Sequence, residues 1–398
     1  MRFIFLTLGY HPDLVGGAYR YVAEVAERLA ARGREVDVIC PNPGNKFPAR
    51  ELRAGVTLHR VAKESGFFWV NWRRENTAAR LRLENLLAAR PAALPVLCHA
   101  FFEPATAGCS GPLAFLFTGP WAEEFLLARQ ARPRSMVRQK FDGLIATRLR
   151  AAENRALRRS RRILTISRYY EQQLPRWHGA GLPSARIISG GVNASQFSPP
   201  SNRVAARGQL GLLEKDFLFL AVRRLDPRMG LLTLLEGFAA VAREFPSARL
   251  WLAGQGPQRA RLEARIAELQ LGDRVRLLGF VPEADLPRLL GAADCTLMPS
   301  LDLEGFGLAT AESLACGTPV LASRAGANPE LLAPLGEHLL FEAGSTDSLA
   351  AKLRDVLRSP ELLPRRATCR EYALRHFSWD KVAQACEETF TELLPVGE

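Results

Sequence analysis

Residues 295–323 read CTLMPSLDLEGFGLATAESLACGTPVLAS. CTLMPS is a short continuous apolar run, the pattern of a strand buried on both faces. GLATAESLACG (307–317) has helix formers and closes on Gly317, and PVLAS (319–323) is a second apolar run. Strand, helix, strand at this spacing is a βαβ unit, with the helix starting at the C-terminal edge of the first strand. The start falls at Gly305–Leu308. Free backbone N–H groups there can hold a phosphate, with a dipole contribution of roughly 0.3–1 kcal/mol. Glu304 stands just before the helix and Glu312 about a turn and a half inside it. Like charges repel, so these carboxylates are expected to accept hydrogen bonds from hydroxyls or arginines on either side of the phosphate. Sugar hydroxyls, diphosphate and ribose diol in that order describe a nucleotide sugar. A capping carboxylate and a helix-surface glutamate is the plainer alternative. Against it, Glu312 lies among small and apolar residues, where an unpaired charge is costly.

Working outward, the same alternation fills the chain. FIFLTL (3–8), EVDVIC (35–40), VTLHRV (56–61), PVLCHA (95–100), LAFLFT (113–118) and RILTIS (162–167) read as strands separated by helices such as 18–33. The Pro-rich stretch QFSPPSNR (196–203) reads as a linker, and after it the pattern restarts with FLFLAV (217–222), ARLWLAG (248–254), VRLLGF (275–280), CTLMPS, PVLAS and HLLF (338–341). This predicts two doubly wound α/β domains facing across a cleft, residues 1–198 and 199–376, with a terminal helix in 377–398 crossing back to the first.

The 398 residues carry a net charge of +12, and only six of the 53 basic residues are lysine. Arginine suits phosphate as a planar, bidentate partner, although a compositional bias of the genome would give the same excess. No apolar run reaches 18 residues, and the start reads as a strand rather than a signal peptide. Seven scattered cysteines and six histidines show neither disulfide nor metal spacing. A cytoplasmic protein with reduced thiols, no bound metal and no cofactor is expected. From Arg129 to Arg162 the chain is strongly basic. A solvated helical face, a peripheral contact with the anionic inner face of a membrane, and contact with an acidic acceptor all fit. Nucleic acid does not, because no recognition module accompanies the charge. The aromatic FFWVNW (67–72) could stack on an acceptor or pack between helices.

Further site candidates sit on loops after strands. Gly16 and Gly17 precede a helix and let its amides approach an anion, or form a plain turn. In AVRRLDPRMG (221–230), Arg224 and Arg228 leave the C-terminal end of a strand and suit a diphosphate, or are surface arginines.

Together these features resemble the family-4 retaining glycosyltransferases of the GT-B fold. The E-x7-E element Glu304–Glu312 is the most specific match. ARLWLAGQGP (248–257), VRLLGFVPEADLPRLLGAAD (275–294), ISGGVNASQF (188–197), LAFLFTGPWAEE (113–124) and FSWDKVA (377–383) support it. The resemblance implies transfer of a sugar from a nucleotide-diphosphate sugar to a hydroxyl acceptor, with retention and without a metal; uridine is expected over guanosine. It implies that Gly16 and Gly17 lie near the donor diphosphate and that Arg224 grips it. Glu304 and the amides of Phe306, Gly307 and Leu308 would hold sugar and phosphate, Glu312 the ribose, and Phe280 would lie near the base. Trp121 would lie on the acceptor side. The chain departs from the family at Met229, where lysine is usual, with Arg228 as the expected substitute. It departs again at Thr118, where histidine is usual; threonine can donate a hydrogen bond but is no base near pH 7. His99 and His11 are the nearest alternatives. The rivals are a nucleotide-sugar epimerase on the same frame and a binding protein without turnover.

Overall fold

A computed structural model describes residues 1–63, 68–130 and 136–394. The chain forms two compact units, residues 1–190 with 379–398, and residues 191–378.

The first unit is built on strands β1 (Arg2–Leu6), β2 (Glu35–Pro41), β3 (Arg50–Arg53), β4 (Val56–Val61), β5 (Leu94–Leu97), β6 (Ala114–Phe117), β7 (Arg162–Thr165) and β8 (Ala185–Ile187). They lie in the order β3-β4-β2-β1-β5-β6-β7-β8, and only β3–β4 is antiparallel. The central strands carry uninterrupted buried apolar residues, Phe3 to Leu6 and Ala114 to Phe117, because helices cover both faces. The two edge strands are additions to the sequence reading. RELR and ARI lack an apolar run because an edge strand is partly solvated.

Helix Trp379–Thr391 packs on helix Gly17–Ala31 within this unit. Trp379 is buried edge-on against Tyr21 at 5.4 Å, and Phe390 meets Phe3 at a tilt and Phe5 edge-on. Glu387 receives Arg32 and Arg34, each at 2.5 Å.

The second unit holds β9 (Phe217–Val222), β10 (Ala248–Ala253), β11 (Val275–Gly279), β12 (Cys295–Met298), β13 (Val320–Ser323) and β14 (Leu340–Phe341), all parallel, in the order β11-β10-β9-β12-β13-β14. Phe219, Leu235, Phe238, Leu250, Leu297 and Leu349 form its core. The chain winds outward from β9 to β11, then returns to β9's other side and winds the opposite way. The β9–β12 boundary is therefore a topological switch point, where ligands bind in open parallel sheets. The stretch QFSPPSNR, read as a linker, lies inside this unit. Phe197 is fully buried, and Pro200 packs so closely that a Cβ on Gly291 would lie 2.3 Å from it. Among the described residues no helix is long and apolar enough to cross a membrane.

Trp379→Ala should lower stability by about 3–5 kcal/mol, the usual loss for a buried tryptophan. Urea unfolding followed by far-ultraviolet circular dichroism measures it, and an unchanged midpoint would contradict this packing.

Candidate functional site

The switch point brings two loops together that lie far apart in sequence. Arg223 is the first residue after β9, and Ser300 and Glu304 follow β12. The Arg223 guanidinium is bonded to Glu304 Oε2, its Nη2 donates to Ser300 Oγ at 2.8 Å, and it lies 2.6 Å from Met229 Sδ. Ser300 Oγ in turn donates to Glu304 Oε2 at 2.7 Å. Arg223 keeps 7% and Glu304 10% of side-chain exposure, so the pair is buried. Burial pushes the Glu304 carboxyl up. The charge of Arg223, the hydrogen bonds from Ser300 and Arg223, and the charge of Arg228 outweigh this and hold it below the ordinary carboxylate value.

Backbone geometry fixes the loops. Leu303, next to Glu304, has φ 51°, a left-handed conformation costing about 1–2 kcal/mol in a branched residue. Its carbonyl accepts from Arg228 Nη1 at 3.0 Å. A Cβ on Gly254 would lie 1.8 Å from the Arg223 carbonyl, and one on Gly326 would lie 2.2 Å from the Glu304 carbonyl. These glycines let neighbouring loops close on the two charged residues.

Helix Leu308–Ala315 begins after Gly307, which has φ 79°. Among the described residues, the backbone N–H groups of Phe306, Gly307 and Leu308 have no acceptor in the chain. Such a terminus, with Arg223 and Arg228 beside it, can receive an anion. Glu312 is buried on this helix.

Other expected residues fall as follows. Arg224 is 67% exposed and pairs with Asp226 at 3.2 Å, apart from the buried cluster. Phe280, after the edge strand β11, is 55% exposed. Phe306 is buried with its ring edge-on to Phe377, so only its backbone faces the helix terminus. Arg223 and Ser300 were not among the expected residues. The Arg223–Arg224 doublet offered no basis for choosing, although a strand's alternation puts its two side chains on opposite sides.

In the first unit, Gly16 precedes helix Gly17–Ala31, and His11 lies on the loop before it. Thr118 is partly exposed at the end of β6. His99 and Trp121 meet edge-on at 5.0 Å. His99 Nδ1 accepts from the Phe101 amide at 3.1 Å, and burial pushes the imidazole down to about 4, so it is neutral near pH 7 with its proton on Nε2. A cavity of about 200 Å³ is lined by Trp69, Trp72, Trp121, Arg148 and Arg155 among others. Phe67 of the aromatic run lies outside the described residues. In the basic segment, Arg150 pairs with Glu123, Arg155 with Glu103, and Arg158 donates to the carbonyls of His178 and Ala180.

Two family models divide the chain between them. Glycosyltransferase Family 4 matches residues 15–196, and Glycosyl transferases group 1 matches residues 202–376. The chain is therefore a glycosyltransferase of the family-4 kind, with the GT-B fold. It is 26% identical to a glycogen synthase of Mycobacterium tuberculosis, covering 98% of this chain and 94% of that one. Among solved structures it superposes on a sucrose-phosphate synthase from Thermosynechococcus elongatus with a TM-score of 0.82, at 22% identity and 98% coverage of both chains. It superposes on Anabaena HepE in complex with UDP-glucose at 0.76, with 20% identity and coverage of 99% and 100%. These two likenesses establish the fold.

Because folding depresses the Glu304 pKa, its contribution to stability is full above the ordinary carboxylate value of about 4.3 and is lost as pH falls through the lower folded value. Glu304→Gln leaves Arg223 buried against a neutral amide and should destabilise by about 3–5 kcal/mol near pH 7. Thermal unfolding at a series of pH values should show the gap to wild type closing below about pH 4. A gap that widens on acidification would contradict the assigned charge state.

Proposed function

We propose that this glycosyltransferase moves a sugar from a UDP-sugar to a hydroxyl acceptor with retention at the anomeric carbon. The observation that carries the reading is the joint placement, at one switch point, of buried Glu304, two arginines and three unsatisfied helix-terminal amides. The amides of Phe306, Gly307 and Leu308 are assigned to sugar and phosphate, and Glu304 to sugar hydroxyls. Glu312 is assigned to the ribose diol, and Phe280, further along the same sheet edge, to the base. Exposed Arg224 is free to turn from Asp226 toward the diphosphate. The uridine preference draws support from the HepE complex, which contains UDP-glucose.

In the step proposed, the bond between the anomeric carbon and the diphosphate oxygen breaks, and the acceptor oxygen bonds to the same face. The acceptor proton passes to the departing diphosphate oxygen. No protein base is required, which suits Thr118 and a neutral His99. The catalytic contribution is electrostatic, from cations and amides placed where negative charge develops. Gly16 and Gly17 are assigned to the diphosphate and Thr118 to a sugar hydroxyl. The acceptor is assigned to the first unit, where Trp121 lines a cavity walled by tryptophan and arginine suited to a sugar ring. A peripheral membrane contact through 129–162 is favoured by one observation: Phe141 and Leu144 are 60% and 49% exposed on a basic helix. An epimerase would need groups at the sugar that act as acid and base near pH 7, and the arginines beside Glu304 at the switch point stay charged there.

Calorimetry with UDP, GDP and ADP in the presence of EDTA tests the donor site. Micromolar affinity for UDP, unchanged by EDTA, is expected. Glu304→Gln should lower turnover of the matching donor by about 10²-fold or more while changing UDP affinity far less. Absence of binding to any of the three nucleotides would favour a protein that has lost its donor site.

A further inference from the structure

We infer that Arg223 is the positioning cation of the donor site, filling the space that a longer, charged side chain at position 229 would otherwise occupy. This rests on the donor-site reading above and adds a residue and a reason for Met229. Three observations carry it. The Arg223 guanidinium spans Glu304 Oε2, Ser300 Oγ and Met229 Sδ, while Nη1 lies 3.8 Å from Met298 Sδ. Its Nη2 thus meets a carboxylate, a hydroxyl and one thioether, and its Nη1 faces a second thioether. Its Nε is buried with no partner in the chain, although the side chain is 7% exposed. A guanidinium stays charged, and a buried N–H without an acceptor is unfavourable, so the orphaned donor points to an acceptor that the protein does not supply. A phosphate or sugar oxygen of the donor meets that need.

The third observation concerns reach. Sulfur is the third side-chain atom of methionine, and Nη2 lies in contact with it. A lysine at position 229 would carry its ammonium two bonds past that atom, into the space Nη2 fills between Ser300 and Glu304. The two positions are therefore alternative sources of one positive charge. With Arg223 in place, an apolar and compliant residue at 229 avoids a second buried cation and packs the guanidinium. Arg228, expected to compensate for Met229, does different work: its Nη1 holds the carbonyl of strained Leu303.

The consequence is a reciprocal rescue. Arg223→Met should lower kcat by at least about 10²-fold, with UDP affinity weakened about tenfold and donor KM following affinity. Met229→Lys alone should also lower kcat, because it crowds two cations around Glu304. The double variant Arg223→Met/Met229→Lys should recover at least a tenth of wild-type kcat. It keeps one cation for Glu304, so it remains informative should Arg223→Met fail to fold. A folded double variant with no recovery overturns the inference. So does Arg223→Met with wild-type kcat, or with tighter UDP binding, which would mark Arg223 as an obstruction. If wild type binds no nucleotide, the donor-site reading itself fails. If wild type binds and turns over while the Arg223 variants match it, only this inference fails.

Discussion

The buried pair of Arg223 and Glu304 is the constraint around which the second unit is arranged. Two charges taken out of water must recover their hydration from each other and from fixed neighbours, or the fold loses several kcal/mol. Here Ser300 bonds both partners, Met229 packs against the guanidinium, and glycines at 254 and 326 allow neighbouring backbone to close to contact distance. The left-handed Leu303 is part of the same arrangement, because the turn it makes presents Glu304 to Arg223 and its own carbonyl to Arg228. Residues that would be unremarkable singly become necessary once the pair is buried.

The pair exists because of strand order. β9 and β12 are neighbours, although 72 residues lie between Val222 and Cys295. Two successive crossovers carry β10 and β11 to one side, and the chain then returns to β9 and builds outward on the other. At that reversal the loops diverge above and below the sheet and leave room at its C-terminal edge. A helix starting there points unsatisfied amides at the same space. Cation, carboxylate and amide donors therefore converge on one space at the sheet edge.

Much of this was legible in the sequence. Continuous apolar runs announced both parallel sheets, and the Gly305–Leu308 helix start was placed correctly between β12 and β13. The edge strands 50–53 and 185–187 were not legible, because partial solvation removes the apolar run that marks a central strand. QFSPPSNR looked like a linker by composition, yet Phe197 and Pro200 are packing residues. The site was half legible. Glu304 and the helix terminus followed from local pattern, whereas Arg223 depended on which of two adjacent arginines turns inward. That choice is made by the β9–β12 pairing, a long-range fact that no local window contains.

The most direct test of the account is hydrogen–deuterium exchange of the full chain with and without saturating UDP. Protection should concentrate in peptides covering residues 223–230 and 304–312, the two loops that the switch point brings together, with smaller changes elsewhere in the second unit's sheet. Protection absent from both loops, with UDP bound elsewhere, would contradict the placement of the donor site and the role given to the buried pair.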